Sequence, residues 1–236
     1  GEDRRVRLPV IVNQDGFTLS FTREPVELPD ADAADRFVPP FDAMGIEFRA
    51  SRPASQAVAV LGGSPYSYFR YEMHLAAQAA LAAYDEIERE FTAHFGRSYP
   101  ALEAYRADDA EVVYFMTGAF STKARAAVDQ LRQAGQSVGL VRPRLFRPFP
   151  QAKLRALLAG KRAVAVIDQN LSLGKGGVLA AELASALYGI AHGPCLVSFI
   201  GGLGGRDIAP EEFYEIAKIA RCAADTGVVP PPRLLY

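Results

Sequence analysis

The stretch Ala163–Leu187, AVAVIDQNLSLGKGGVLAAELASAL, leaves few folds open to the chain that carries it. Its first residues, Ala163–Ile167, are short, apolar and rich in Val and Ile, as suits a strand buried on both faces. A polar corner follows, Asp168-Gln169-Asn170, and then a Gly-rich loop, Gly174-Lys175-Gly176-Gly177. Leu179, Leu183 and Leu187 then recur at helical spacing. Strand, loop and helix in that order make the unit of a parallel α/β sheet. Ligands and partners commonly meet such sheets at the loops that follow the carboxyl ends of strands.

The same rhythm runs through the second half of the chain. Strands are expected at Glu111–Thr117, Ser137–Val141, Ala163–Ile167 and Cys195–Ile200. Helices are expected at Thr122–Ala134 (with Ser121 as N-cap and Gly135 as stop), Pro148–Ala159, Gly177–Tyr188 and Pro210–Ala224. This alternation predicts an α/β fold in three layers, a mostly parallel sheet with helices on both faces. The first hundred residues read differently. Residues 4–12 and Phe17–Thr22 suggest short strands around the turn signal Asn13-Gln14-Asp15-Gly16. Residues 24–41, with Pro25, Pro29, Pro39 and Pro40, suggest an extended arm. Gln56–Leu61 suggests one more short strand. From Ser64-Pro65 to Gly96 a long helix is expected, with Phe69, Met73, Ala76, Ala80, Tyr84, Ile87, Phe91 and Phe95 on one stripe. Such a stripe is core, or a seam to another domain or subunit. Arg97–Asp109 reads as a polar linker, and Val228–Tyr236, with its three prolines, as an extended tail.

Composition excludes several classes of function. The chain has 236 residues, and its 26 basic and 27 acidic side chains nearly cancel. That balance speaks against nucleic acid or a membrane surface as partner. No apolar run is long enough to span a bilayer, and the opening residues lack a signal peptide's apolar core, so a cytoplasmic location is expected. Two cysteines, Cys195 and Cys222, form no ligand pattern and are expected to be buried reduced thiols. His74, His94 and His192 are isolated. No catalytic set and no metal site are expected.

Three segments have competing readings. The Gly174, Lys175, Gly176 and Gly177 loop before a helix offers N–H groups and an ammonium to a phosphate or carboxylate. It fails the P-loop spacing, so the alternative is a tight strand-to-helix turn. Gly201-Gly202-Leu203-Gly204-Gly205-Arg206-Asp207 imitates a dinucleotide fingerprint but has Asp207 where the third glycine belongs. Its glycines suggest close approach of another group, with Arg206 and Asp207 pairing across a subunit contact. In Val141–Pro150, Arg142, Arg144, Arg147 and Phe149 suggest anion capture or an interface lip. The alternative is pairing with carboxylates such as Asp168.

Taken together, these residues resemble the α subunit of the 2-oxoacid:ferredoxin oxidoreductases, which include pyruvate synthase. The likeness is carried by Leu8–Asp30 (LPVIVNQDGFTLSFTREPVELPD), Phe69–His74 (FRYEMH), Glu111–Gly118 (EVVYFMTG), Gly139–Pro150 (GLVRPRLFRPFP), Ala165–Gly177 (AVIDQNLSLGKGG) and Phe199–Phe213 (FIGGLGGRDIAPEEF). The resemblance implies a C-terminal part of that subunit. Residues 1–107 would be the end of the pyrimidine-binding domain with its arm and long helix. Residues 108–236 would be a transketolase C-terminal-like domain. It also implies a holoenzyme that oxidatively decarboxylates a 2-oxoacid to an acyl-CoA and reduces ferredoxin. Thiamine diphosphate, Mg²⁺ and [4Fe-4S] clusters would lie elsewhere, in a thiamine-diphosphate-binding β subunit and a ferredoxin-like subunit. This chain would be non-catalytic, would bind no cofactor alone, and would support the active site and a dimeric or larger assembly. The rival reading is a free-standing sensor domain for an anion or CoA. Two positions depart from the family's pattern: Phe21 replaces a His, and Ala209 replaces a hydroxyl residue before the last helix.

Overall fold

The computed structural model of the protein describes residues 1–16, 18–38, 40–42, 47–54 and 63–236. The expected strand at Gln56–Leu61 lies outside these residues. The chain forms two compact units. One comprises Gly1–Val12 and Glu24–Pro100, the other Asn13–Arg23 and Ala101–Tyr236.

In the first unit, residues 4–12 do not form the expected strand but contain a turn at residues 4–6. The proline-bearing arm holds a helix, α2 (Ala31–Phe37), because Asp30 caps it by accepting the Ala33 N–H. One turn of helix precedes it in the chain, α1 (Thr18–Phe21), which belongs to the second unit and stands where a strand was expected. Its start is held by the Asp15 carboxylate, which accepts the Thr18 N–H at 2.9 Å. The long helix, α3, runs Gly63–Phe95 and ends, as the sequence suggests, at Gly96, whose φ is +66°. Its C-terminal part packs on α2: the Phe37 ring meets Phe91 at 5.5 Å and Phe95 at 5.4 Å, edge to face. Further toward its start the apolar stripe faces outward, with Phe69 48% and Met73 44% exposed.

The second unit is built on a six-stranded sheet in the order β1-β3-β2-β4-β5-β6. The strands are β1 (Leu102–Tyr105), β2 (Val112–Met116), β3 (Val138–Pro143), β4 (Ala163–Asp168), β5 (Cys195–Ile200) and β6 (Arg233–Leu234). All neighbours are parallel except β1, which runs antiparallel to β3. The helices between are α4 (Ser121–Gln133), α5 (Gln151–Leu157), α6 (Val178–Leu187) and α7 (Pro210–Thr226).

Alternation along the central strands divides the core in two. Val112, Tyr114, Met116, Ala165, Ile167, Val197 and Phe199 pack against α4 and α7. Val113, Phe115, Val164 and Val166 pack against Leu154 and Leu158 at α5 and Leu179, Leu183 and Leu187 of α6. Both faces are covered, which explains why β2 and β4 are apolar at nearly every position. The buried Tyr114 hydroxyl is satisfied across the layer by donating to the Phe213 carbonyl at 2.5 Å.

Two expected features differ. The segment read as a linker contains β1, LEAY, which hides because it is short, carries a charge and lies between polar residues. Its Glu103 pairs with Arg142 and Arg144 from the far side of the β1–β3 ladder. Of the two thiols expected to be buried, Cys195 is half-buried and Cys222 exposed, since α7 turns Cys222 toward solvent.

Candidate functional site

Strand order reverses between β2 and β4, so the crevice at their carboxyl ends is where this architecture places a ligand. Here the chain fills it with its own side chains. The Gln169 amide crosses from the end of β4 and donates to the Thr117 carbonyl at the end of β2, at 2.6 Å. Phe120, before α4, lies against Gly202, after β5. A Cβ at Gly202 would fall 2.7 Å from the Phe120 ring, and the Gly202 φ of +79° also requires glycine.

The loop after β4 is organised by Asp168, which is 1% exposed. Its carboxylate accepts the N–H groups of Leu179 at 2.7 Å and Ala180 at 3.1 Å, in the first turn of α6. Asn170 Oδ1 accepts the Val178 N–H at 3.2 Å. The helix start is thus capped from the end of the strand that precedes it. Burial pushes the Asp168 carboxyl above its usual range, against the opposing pull of the Leu179 and Ala180 N–H groups and the Asn170 amide. Gly177 is the residue that lets the carboxylate in, for a Cβ there would sit 1.9 Å from Asp168 Oδ2. The N–H groups that an anion cradle would use are therefore committed within the chain.

Gly174, Lys175 and Gly176 project instead as a tight turn, closed by Ser172 N–H to Gly176 carbonyl at 2.8 Å and Lys175 N–H to Ser172 carbonyl at 2.9 Å. The turn's base touches the tail, since a Cβ at Gly176 would meet Pro232 at 3.5 Å.

The second glycine segment forms a single 3₁₀ turn, Leu203–Gly205, with Gly204 and Gly205 in left-handed conformation. Its charges are spent within the chain. Arg206 pairs with Glu212 of α7, and Asp207 with Lys123 of α4. The Lys123 ammonium holds the Asp207 carboxyl below its usual range. Each of the two charges thus already has a partner within the chain.

The arginine segment lies at the other side of the crevice. Arg142 and Arg144 bind Glu103, not Asp168, and Arg142 also donates to Ser121 Oγ at 3.0 Å. Ser121, expected as an N-cap, is the first residue of α4, and its hydroxyl donates to the Gly118 carbonyl at 2.7 Å. Arg125 approaches the same carboxylate at 3.7 Å. Burial raises the Glu103 pKa and the arginines lower it; the arginines prevail. Arg147 pairs with Glu182 of α6 at 2.6 Å, and the Phe149 ring packs edge-on against Phe146 at 6.1 Å. The sequence-marked residues thus fall into separate groups around the carboxyl end of the sheet. Phe120 and Glu103, which help organise that end, carried no motif to mark them, while Gln169 was marked only as part of the polar corner after β4.

Among the described residues no group of three or more His, Cys, Asp or Glu side chains could hold a metal. The two cysteines fall short of the four thiolates of a [4Fe-4S] cluster. The α6 start, whose N–H groups could have met a diphosphate, is satisfied by Asp168. Among the described residues these features offer neither a cluster site nor an uncapped start of α6 to such groups. No helix of the described residues is long and apolar enough to cross a membrane.

Residues 110–213 match the family described as pyruvate:ferredoxin oxidoreductase core domain II. The chain is 34% identical to pyruvate synthase subunit PorA of Pyrococcus abyssi over 231 residues, which are 98% of this chain and 58% of that subunit. It is 32% identical to ketoisovalerate oxidoreductase subunit VorA of the same organism, over 94% of this chain and 56% of that one. Among solved structures, it is similar to a 2-oxoglutarate:ferredoxin oxidoreductase from Magnetococcus marinus, with 18% identity, a TM-score of 0.44, and coverage of 66% of this chain and 23% of that one. Residues 110–213 thus carry the core domain II of this family, and over nearly its whole length the chain is similar to PorA- and VorA-type subunits. It spans rather more than half the length of the curated relatives it matches.

Proposed function

We propose that this chain is a non-catalytic part of the α subunit of a 2-oxoacid:ferredoxin oxidoreductase that uses thiamine diphosphate. The assembly turns a 2-oxoacid, CoA and oxidised ferredoxin into an acyl-CoA, CO₂ and reduced ferredoxin. The observation that carries the reading is the similarity to a pyruvate synthase subunit, 34% identity over 98% of the chain. The closed crevice fits it: a sheet whose switch point holds its own Gln169 and Phe120 is suited to supporting a site rather than to containing one.

Thiamine diphosphate and Mg²⁺ are assigned to a β subunit, and the [4Fe-4S] clusters to a ferredoxin-like subunit of a cytoplasmic complex. Substrate class stays at the level of 2-oxoacid, because the PorA and VorA relatives are almost equally similar to this chain. The test is CoA-dependent viologen reduction with pyruvate, 2-oxoglutarate and branched 2-oxoacids. The complex recovered with this chain should reduce viologen with at least one of them, and the chain alone with none. Recovery of the chain at its own mass, with no associated activity, would sink the reading.

A further inference from the structure

The sheet ends in two unlike edges. At one, β1 carries Glu103 among arginines, and charge on an edge discourages pairing with a further strand. Toward the other, β5 reads CLVSFI, six residues without charge, proline or glycine. Such a strand is a template for pairing wherever its edge is open. The direction of its backbone groups follows from its bonds. Cys195 N–H donates to the Arg162 carbonyl at 3.0 Å and Gly201 N–H to the Asp168 carbonyl at 2.9 Å, both on the β4 side. The Ile200 carbonyl accepts the Leu235 N–H from the opposite side at 2.8 Å. Alternation along the strand therefore turns the N–H and C=O groups of Leu196, Ser198 and Ile200 outward. The ladder to β6 holds only Phe199 and Ile200, so Leu196 and Ser198 lie beyond it. Carrying its register backward sets Pro232, Pro231 and Pro230 alongside Ser198, Val197 and Leu196, and proline has no N–H to give.

The segment that masks this edge, Val228–Tyr236, is lightly held. Its anchor is Leu235, which packs on the core and sits over Gly201, where a Cβ would fall 2.9 Å from Leu235 Cδ1. Val228, Leu234 and Tyr236 are 70%, 45% and 90% exposed. The Arg233–Glu215 pair spans 3.8 Å between two exposed side chains, an arrangement that contributes little. A groove of about 740 Å³ runs between the segment and α7, lined by Phe199, Ile216 and Ile219. Few buried contacts and a two-residue ladder mark a unit that opens locally while the sheet stays folded.

We propose that Val228–Tyr236 is a releasable guard strap: seated by Leu235 it masks the outer edge of β5, and released it lets that edge pair with the same edge of a second copy. Two identical edges related by a two-fold axis run antiparallel, so each outward donor meets an acceptor of its twin. The strand brings no charge to oppose itself, and Arg233 leaves with the strap. The contact is thus autoinhibitory, with the prolines and Leu235 holding in check an association that the strand's own sequence favours.

The test uses the full chain with Leu235→Asp, which unseats the anchor, and Leu235→Met, which keeps it. Hydrogen exchange read by mass spectrometry follows residues 228–236 and β5, and sedimentation velocity follows self-association over a range of concentrations. In Leu235→Asp the amides of 228–236 should exchange at least about tenfold faster than in the parent, with β2 and β4 still protected. That variant should self-associate at least about tenfold more tightly than the parent chain, and the associated form should gain protection at Leu196 and Ser198. Leu235→Met should match the parent in both measurements. Release of the segment without added association overturns the proposal, as does association that protects segments other than β5. If residues 228–236 stay protected in Leu235→Asp, or if β2 and β4 lose protection with them, the segment is not a separately releasable strap and the proposal fails.

Discussion

Asp168 and Gly177 form one device, and neither makes sense without the other. The carboxylate lies buried at the end of β4 and caps α6, in a space that only the missing Cβ of Gly177 provides. Gly177→Ala should displace the carboxylate or the helix start and cost about 1–3 kcal/mol, measured as a fall in the denaturation midpoint. The pH dependence follows from burial. Since the folded carboxyl binds its proton more tightly than the unfolded one, its contribution is full below the unfolded value and is lost as pH climbs through the raised folded value. Asp168→Asn keeps an acceptor for the helix and removes the titration. Unfolding measured across that window should therefore show a weaker loss of stability with rising pH in the variant. Equal slopes for both proteins would contradict the account. Glu103 has the opposite sign. The arginines around it lower its pKa despite burial, so its contribution is present above the unfolded value and fades as pH falls through the folded one. Glu103→Gln should reduce acid sensitivity and cost about 2 kcal/mol at neutral pH, because three guanidinium groups lose their shared charge.

At the scale of elements, α7 begins with half a cap. Glu212 reaches back to accept the Ala209 N–H at 2.8 Å, but Ala209 has no side-chain acceptor to return a bond to the first turn. Ala209→Ser should complete the capping box and raise stability by about 1 kcal/mol, visible in a thermal melt; an unchanged melt would mean that solvent already satisfies those N–H groups. The elements of the second unit were legible because buried parallel strands leave short apolar runs and their helices leave a 3.6-residue rhythm. β1 was not legible: its sequence, LEAY, carries a charge whose partners Arg142 and Arg144 lie some forty residues away. The strands expected at 4–12 and 17–22 follow apolar composition alone, with no partner strand to complete a ladder among the described residues. β6 is cut short for a local reason. Pro230, Pro231 and Pro232 precede it and have no N–H to continue pairing along β5. At the site, the glycine loops announced themselves, but what they accommodate did not. Asp168 under Gly177 and Phe120 over Gly202 are contacts made by the fold, invisible to any local pattern.

For the molecule as a whole, the division of cores determines what should fold alone. Both hydrophobic clusters of the sheet draw their buried residues from Ala107 onward. Yet β1 begins at Leu102 and supplies the acidic partner of Arg142, Arg144 and Arg125. A fragment of residues 101–236 should therefore unfold as one cooperative transition, with its sheet intact by circular dichroism. A fragment starting at residue 108, where the chain's rhythm first turns regular, would leave the outer edge of β3 unpaired and its arginines without a counter-charge. It should melt lower by at least several degrees, since about 1–2 kcal/mol shifts a domain of this size by that much. It should also aggregate more readily through the bare edge. Equal midpoints for the two fragments would show that β1 is dispensable and that the sheet is stabilised by its two buried faces alone.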